Sequence, residues 1–335
     1  MIIDSFTHIN PPLYLKRLKE IGRELGNFSI TNVSGNYLEM CNVHRHFCDT
    51  LERIKDMEKF GIDVQVITVQ PTLDPNIFDI SYDMKRKLSA ILNDELSKIQ
   101  ESSNGKIIAI GTVAISNAGQ IDEEEMKRVI NDLGLKGFLA LSHIKCTPVD
   151  EFKQFWDKAN SLQAPIFLHP IDPCAGMIRP SEGEFNALHI FSWPYESALV
   201  IYRLASKGIL EKYPDVKLVT HHLGGVIPFL WGRIFESLDQ SSLSTPNQVP
   251  SPERVQEGLQ KIYYDTAIGG NVASIKCALE VLGPKRLVFS TDYPWGPKSG
   301  RHRLETYPKI IHELIISDES KRYIFSENIR RILNI

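Results

Sequence analysis

Eight short apolar runs, each followed by a stretch with helical spacing, constrain this 335-residue chain more than any other feature. The runs are Ile2–Ile9, Val64–Val69, Ile107–Ala114, Gly137–Leu141, Pro165–His169, Val216–Thr220, Ile262–Ala267 and Leu287–Thr291. They are rich in Val, Ile, Leu and Phe, as strands buried on both faces require. Amphipathic segments lie between them: Thr50–Phe60, Tyr82–Glu101, Glu123–Leu133, Val149–Ser161, Ser197–Lys212 and Leu304–Ile315. In the first of these, Leu51, Ile54, Met57 and Phe60 form one stripe, and Gly61 supplies the stop. Eight strand-then-helix units in series, joined by parallel crossovers, most simply close into a (β/α)₈ TIM barrel of the α/β class. A doubly wound open sheet is the competing architecture.

Two connections exceed the usual length. Residues 10–48 form a lid-like insertion after the first strand, and residues 171–195, with Gly176, Pro180 and Pro194, follow the fifth. Long loops at the C-terminal face of such a barrel usually serve the active site. With no repeat, low-complexity tract or linker, residues 1–335 read as one domain. A hydrophobic content of 42% is ample for a core, and a net charge of −3 without charge blocks gives no reason to expect nucleic-acid or membrane partners. Five cysteines without a Cys-x-x-Cys, and an N-terminal strand without a basic leader, predict reduced thiols in a cytoplasmic protein.

In such a barrel the residues at strand ends line the active site. Here they are polar: His8 ends the first strand, His169 the fifth, His221-His222 follows the sixth and Asp292 the eighth. Imidazole nitrogen and carboxylate oxygen suit a divalent ion, zinc first, with manganese, iron and cobalt also accommodated. His8, His169 and Asp292 are the expected ligands of one such ion. Trp193 is placed to wall the substrate pocket. Cys41, His44, His46 and Cys48 also have zinc-binding residue types, but their spacing matches no standard finger and they read as lid residues.

Five segments carry a family resemblance. They are Ile3-Asp4-Ser5-Phe6-Thr7-His8, Pro165–Pro170, His222-Leu223-Gly224-Gly225 with Trp231-Gly232-Arg233, Tyr264-Asp265-Thr266, and Ser290-Thr291-Asp292-Tyr293-Pro294. In this order they resemble the amidohydrolase superfamily, in the branch of aminocarboxymuconate-semialdehyde and γ-resorcylate decarboxylases, with Tyr264-Asp265-Thr266 a lesser echo alongside Asp49, Arg53, Met57 and Gly61. The resemblance implies non-oxidative decarboxylation of a small aromatic or unsaturated carboxylic acid by a homodimeric, metal-dependent enzyme. It selects His222 over His221 as the catalytic histidine, makes Asp292 a proton shuttle and gives Arg53 the substrate carboxylate. It also implies one ion rather than two, because Lys136 and Lys145 miss the position of a bridging carboxylated lysine. Phe6 stands where that branch has its first metal ligand, so the residue joins the pocket wall instead. A metal-dependent hydrolase of a lactone, ester or amide is the alternative activity. A non-catalytic barrel with an impaired metal site is the third reading.

Overall fold

A computed structural model describes residues 1–174, 184–244 and 249–335. Gly176 and Pro180 of the second predicted loop lie outside the described residues. Strands run over β1 (Ile3–Ile9), β2 (Val64–Val69), β3 (Ile107–Ala109), β4 (Phe138–Leu141), β5 (His143–Ile144), β6 (Thr147–Pro148), β7 (Ile166–His169), β8 (Leu218–Thr220), β9 (Tyr263–Asp265) and β10 (Leu287–Val288). All eight predicted strands are present, and β5 and β6 add a small antiparallel hairpin. The contacts divide the chain into a first unit, Met1–Leu139 with Phe289–Ile315, and a second unit, Ala140–Val288 with Ile316–Ile335.

In the first unit, β1, β2 and β3 pair in parallel. Every residue of β1 is buried, including the polar Asp4, Ser5, Thr7 and His8, each of which has a hydrogen-bond partner. Its register against β2 slips between Asp4 and Thr7, so one extra residue of β1 falls where Ser5 and Phe6 lie. The segment from Phe289 runs along the other side of β1: Ser5 N donates to Phe289 O at 2.8 Å and His8 N to Tyr293 O at 2.8 Å. The 10–48 insertion is mostly helical, with α1 (Pro12–Glu24) and α2 (Phe28–Val43). Asn27 caps α2, its side chain accepting from Ile30 N.

Helix α3 (Thr50–Phe60) begins at Asp49, whose carboxylate accepts from Leu51 N and Glu52 N, and ends at Gly61 with φ 73°. Its buried face differs from the expected stripe. Arg53, Asp56 and Met57 point inward while Leu51 is 69% exposed. The polar side is inside because it meets polar partners: Asp56 accepts from Tyr293 Oη at 2.7 Å and from Arg301 Nε at 2.9 Å.

In the second unit, β7, β8, β9 and β10 are parallel, within a sheet ordered β10-β9-β8-β7-β4. The predicted helix over 197–212 begins earlier, at Trp193, and breaks at Gly208, φ 64°, into Trp193–Ser206 and Ile209–Lys212. Helices Pro252–Lys261 and Val272–Leu282 were not anticipated.

The cysteine expectation is corrected. Cys41 pairs with Cys48 and Cys146 with Cys174, at Cα separations of 5.6 and 5.5 Å, which leaves Cys277 as the free thiol among the described residues. Counting cysteines cannot show that the fold brings distant ones within disulfide reach. Among the described residues no helix is long and apolar enough to cross a membrane.

Candidate functional site

The first unit brings His8 and Asp292 together. Parallel running of the 289–293 segment beside β1 places Asp292 Oδ1 3.3 Å from His8 Nε2, with both residues buried. The other ring nitrogen of His8, Nδ1, is 2.8 Å from Thr68 Oγ1 at the end of β2. That bond fixes the ring plane and turns Nε2 toward the carboxylate. Asp292 itself sits at φ 59°, in the left-handed region that is uncommon for residues other than glycine.

The second unit assembles three imidazoles. His169 ends β7 and lies 4.9 Å, centroid to centroid, from His221, just past β8. His222 is 4.0 Å from His221 and 5.5 Å from His169. His169 engages the Pro170 carbonyl through Nδ1, and His221 engages Asp265 Oδ2 through Nδ1. Metal-binding histidines are commonly held this way, with a carbonyl or carboxylate on one nitrogen and the ion on the other. Ligand atoms of His169 and His221 lie within 4.8 Å of one another, compatible with a shared ion. His222 and Leu223 take φ values of 53° and 57°. Gly225 follows at φ 64°, where a Cβ would fall 1.8 Å from Pro194 O, so this tight loop tolerates only glycine there. Trp193 closes the cluster, its ring 5.3 Å from His169 and 6.1 Å from His222, with Nε1 donating to Asp172 Oδ1 at 2.8 Å.

Phe6 and Arg53 are interior residues of the first unit. The Phe6 ring is fully buried, 5.7 Å from that of His8. The Arg53 guanidinium, which the resemblance assigns to a substrate carboxylate, is fully buried against β1 and β2. It donates to Gln65 Oε1 at 2.8 Å and to His8 O, and lies 4.7 Å from the centre of the Tyr293 ring. Burial lowers its pKa to about 10, against the opposing pull of Tyr293, Asp4 and Asp56. Its donors hold the strand that carries His8, which accounts for an arginine so deep. Asp4 lies nearby, accepting from Thr291 N, Thr291 Oγ1 and Gln65 Nε2, and burial pushes its carboxyl up to about 7.

Sequence reasoning passed over three participants. His221 was set aside for its neighbour, and Asp265 was noted only as part of a motif; the doubled histidine and the Tyr-Asp strand end were the available signals. Arg303, which donates to Asp292 Oδ2 at 2.7 Å, had none.

A family model described as Amidohydrolase matches residues 41–335. The chain belongs to the amidohydrolase family. One curated amidohydrolase relative is 2-amino-3-carboxymuconate-6-semialdehyde decarboxylase of Dictyostelium discoideum. It is 24% identical over 251 residues, covering 72% of this chain and 66% of that protein. Gamma-resorcylate decarboxylase of a Rhizobium species is 23% identical over 255 residues, covering 72% of this chain and 76% of its own. Among solved structures, 5-carboxyvanillate decarboxylase from Novosphingobium aromaticivorans, complexed with manganese and 4-hydroxy-3-methoxy-5-nitrobenzoic acid, superposes with a TM-score of 0.84. That match has 20% identity and covers 100% of this chain and 96% of that one. The fold of this amidohydrolase is accordingly the (β/α)₈ barrel that the eightfold alternation predicts.

Proposed function

We propose that this amidohydrolase is a metal-dependent, non-oxidative decarboxylase of a small aromatic carboxylic acid. The observation that carries the proposal is the common design of the two clusters. His8 beside Asp292, and His169 beside His221, are buried at strand ends with each imidazole held through Nδ1. We assign His8, His169 and Asp292 as ligands of one divalent ion, with His221 supplying the nitrogen that Phe6 cannot. This donor set suits zinc and manganese alike. Manganese in the related 5-carboxyvanillate decarboxylase supports that ion ahead of zinc. Decarboxylation is supported by the relatives in two chemical classes, muconate semialdehyde and hydroxybenzoate.

A bound divalent ion supplies Lewis-acid polarisation of a substrate oxygen. The remaining work belongs to the chain. Trp193 offers a flat apolar face against which an aromatic ring can lie. Asp292 carries the proton to the ring carbon as the bond to the carboxylate breaks and CO₂ leaves. The ring exchanges CO₂ for a proton, so no electron acceptor is consumed. His222, half-buried beside His221, orients the departing carboxylate.

The test is CO₂ release from 2,6-dihydroxybenzoate and 5-carboxyvanillate by Mn²⁺-loaded protein. The expected result is metal-dependent CO₂ release from at least one of them, abolished in Asp292→Asn. Hydrolysis of a lactone or ester panel with no CO₂ from either acid would overturn the proposal.

A further inference from the structure

We infer that Arg303 is a positioning residue that decides which oxygen of Asp292 is presented to the metal. The inference rests on the metal reading above and names a residue that reading does not use. Arg303 lies in the first turn of the helix Arg301–Glu313. Its Nη1 donates to Asp292 Oδ2 at 2.7 Å and to the carbonyl of Thr291 at 3.2 Å. The other carboxylate oxygen, Oδ1, is the one that faces His8 Nε2 at 3.3 Å. One oxygen is therefore held by the guanidinium and its twin is turned toward His8.

The loop between these residues is built to seat the guanidinium. Gly296 has φ 104°, and a Cβ there would lie 2.4 Å from Arg303 Nε and 2.9 Å from its Cζ. Gly300, φ 79°, precedes the helix, and a Cβ there would meet the Pro294 carbonyl carbon at 2.7 Å. The missing side chain at Gly296 gives Arg303 its path across the loop, and that at Gly300 lets the loop fold tightly enough to bring the helix start to Asp292.

A carboxylate on a divalent ion can bind through either oxygen or both, and its side-chain torsion decides which. Charge-assisted pairing of Oδ2 with a guanidinium fixes that torsion. With Arg303 in place Asp292 is a one-oxygen ligand through Oδ1. Without it that restraint on Oδ2 is lost, and chelation through both oxygens becomes accessible.

The experiment compares wild type, Arg303→Gln and Arg303→Lys by two readouts that do not require turnover. Mn²⁺ affinity is titrated by the loss of the free-ion magnetic resonance signal. Coordination is read from the visible absorption of Co²⁺-loaded protein. We expect R303Q to bind Mn²⁺ about tenfold more weakly and to shift the Co²⁺ bands, with R303K recovering much of both. A folded R303Q with wild-type affinity and an unshifted Co²⁺ spectrum would overturn the inference, as would R303K no better than R303Q. Wild type that binds neither ion would instead overturn the metal reading itself.

Discussion

Replacing Asp265 by Asn changes one atom and should disable the His169–His221 cluster while sparing the fold. Asp265 is fully buried at the end of β9, and its two oxygens divide three donors. Oδ1 accepts from Leu223 N at 3.2 Å and Ala267 N at 3.1 Å, and Oδ2 takes His221 Nδ1. An asparagine satisfies the two backbone donors by giving them its carbonyl, because two donors outweigh one. Its NH₂ then faces His221 Nδ1, which must become an acceptor. The imidazole proton moves to Nε2, the nitrogen assigned to the metal, as in the handicapped tautomer that follows the same exchange in a serine-protease triad. Losing a charge-assisted bond costs roughly 1.5–3 kcal/mol, and the neutral bond regained offsets about 1 kcal/mol of that. We expect D265N to lose about 0.5–2 kcal/mol in urea unfolding of metal-free protein, yet to bind Mn²⁺ about 10–100-fold more weakly. Asp265→Ala, which strands three buried donors, should lose upward of about 3 kcal/mol. Wild-type Mn²⁺ affinity in D265N, or equal destabilisation by Asn and Ala, would refute the tautomer argument.

Phe6→His adds an imidazole next to His8. Stability without metal should fall by about 2 kcal/mol as a polar ring enters a dry site, while Mn²⁺ raises the melting temperature by more than in wild type; an unchanged metal increment would show that position 6 does not face the ion. Asp4 binds its proton more tightly folded than unfolded, with a pKa of about 7 against 3.8. Its contribution is therefore fully present below pH 3.8 and is lost as pH rises through about 7. Wild type should lose stability across that window relative to Asp4→Asn, by up to about 4 kcal/mol; parallel pH profiles would contradict it. Gly225→Ala forces a Cβ onto Pro194 O at positive φ and should cost more than about 2 kcal/mol in unfolding free energy; a near-neutral result would mean the His222 loop is less constrained than its geometry implies.

Periodicity carried most of the fold and placed the candidate histidines at strand ends. Strands buried on both faces announce themselves as apolar runs, so β1, β2 and β7 were legible almost to the residue, and with them His8 and His169. What escaped depended on partners far away in sequence. Helix α3 shows the reason: a helical wheel turns Leu51 inward, but Tyr293 and Arg301 pull Asp56 in instead. The surroundings of Arg53 are hidden for the same reason, because Gln65 and the His8 carbonyl, which hold its guanidinium, come to it only through the fold. The resemblance selects His222 over His221, whereas Asp265, a residue 44 positions from His221, is what distinguishes their environments. Cysteine pairing is invisible for the same reason, since Cys146 and Cys174 stand 28 residues apart.

The central claim is that imidazoles and a carboxylate from separate strands share one ion, and crystals grown with Mn²⁺ test it most directly. Anomalous scattering collected at the manganese edge should give a single strong peak within about 2.3 Å of Nε2 of His8, His169 and His221 and of Asp292 Oδ1. No peak at saturating Mn²⁺, or a peak that touches only one of the two clusters, would contradict it.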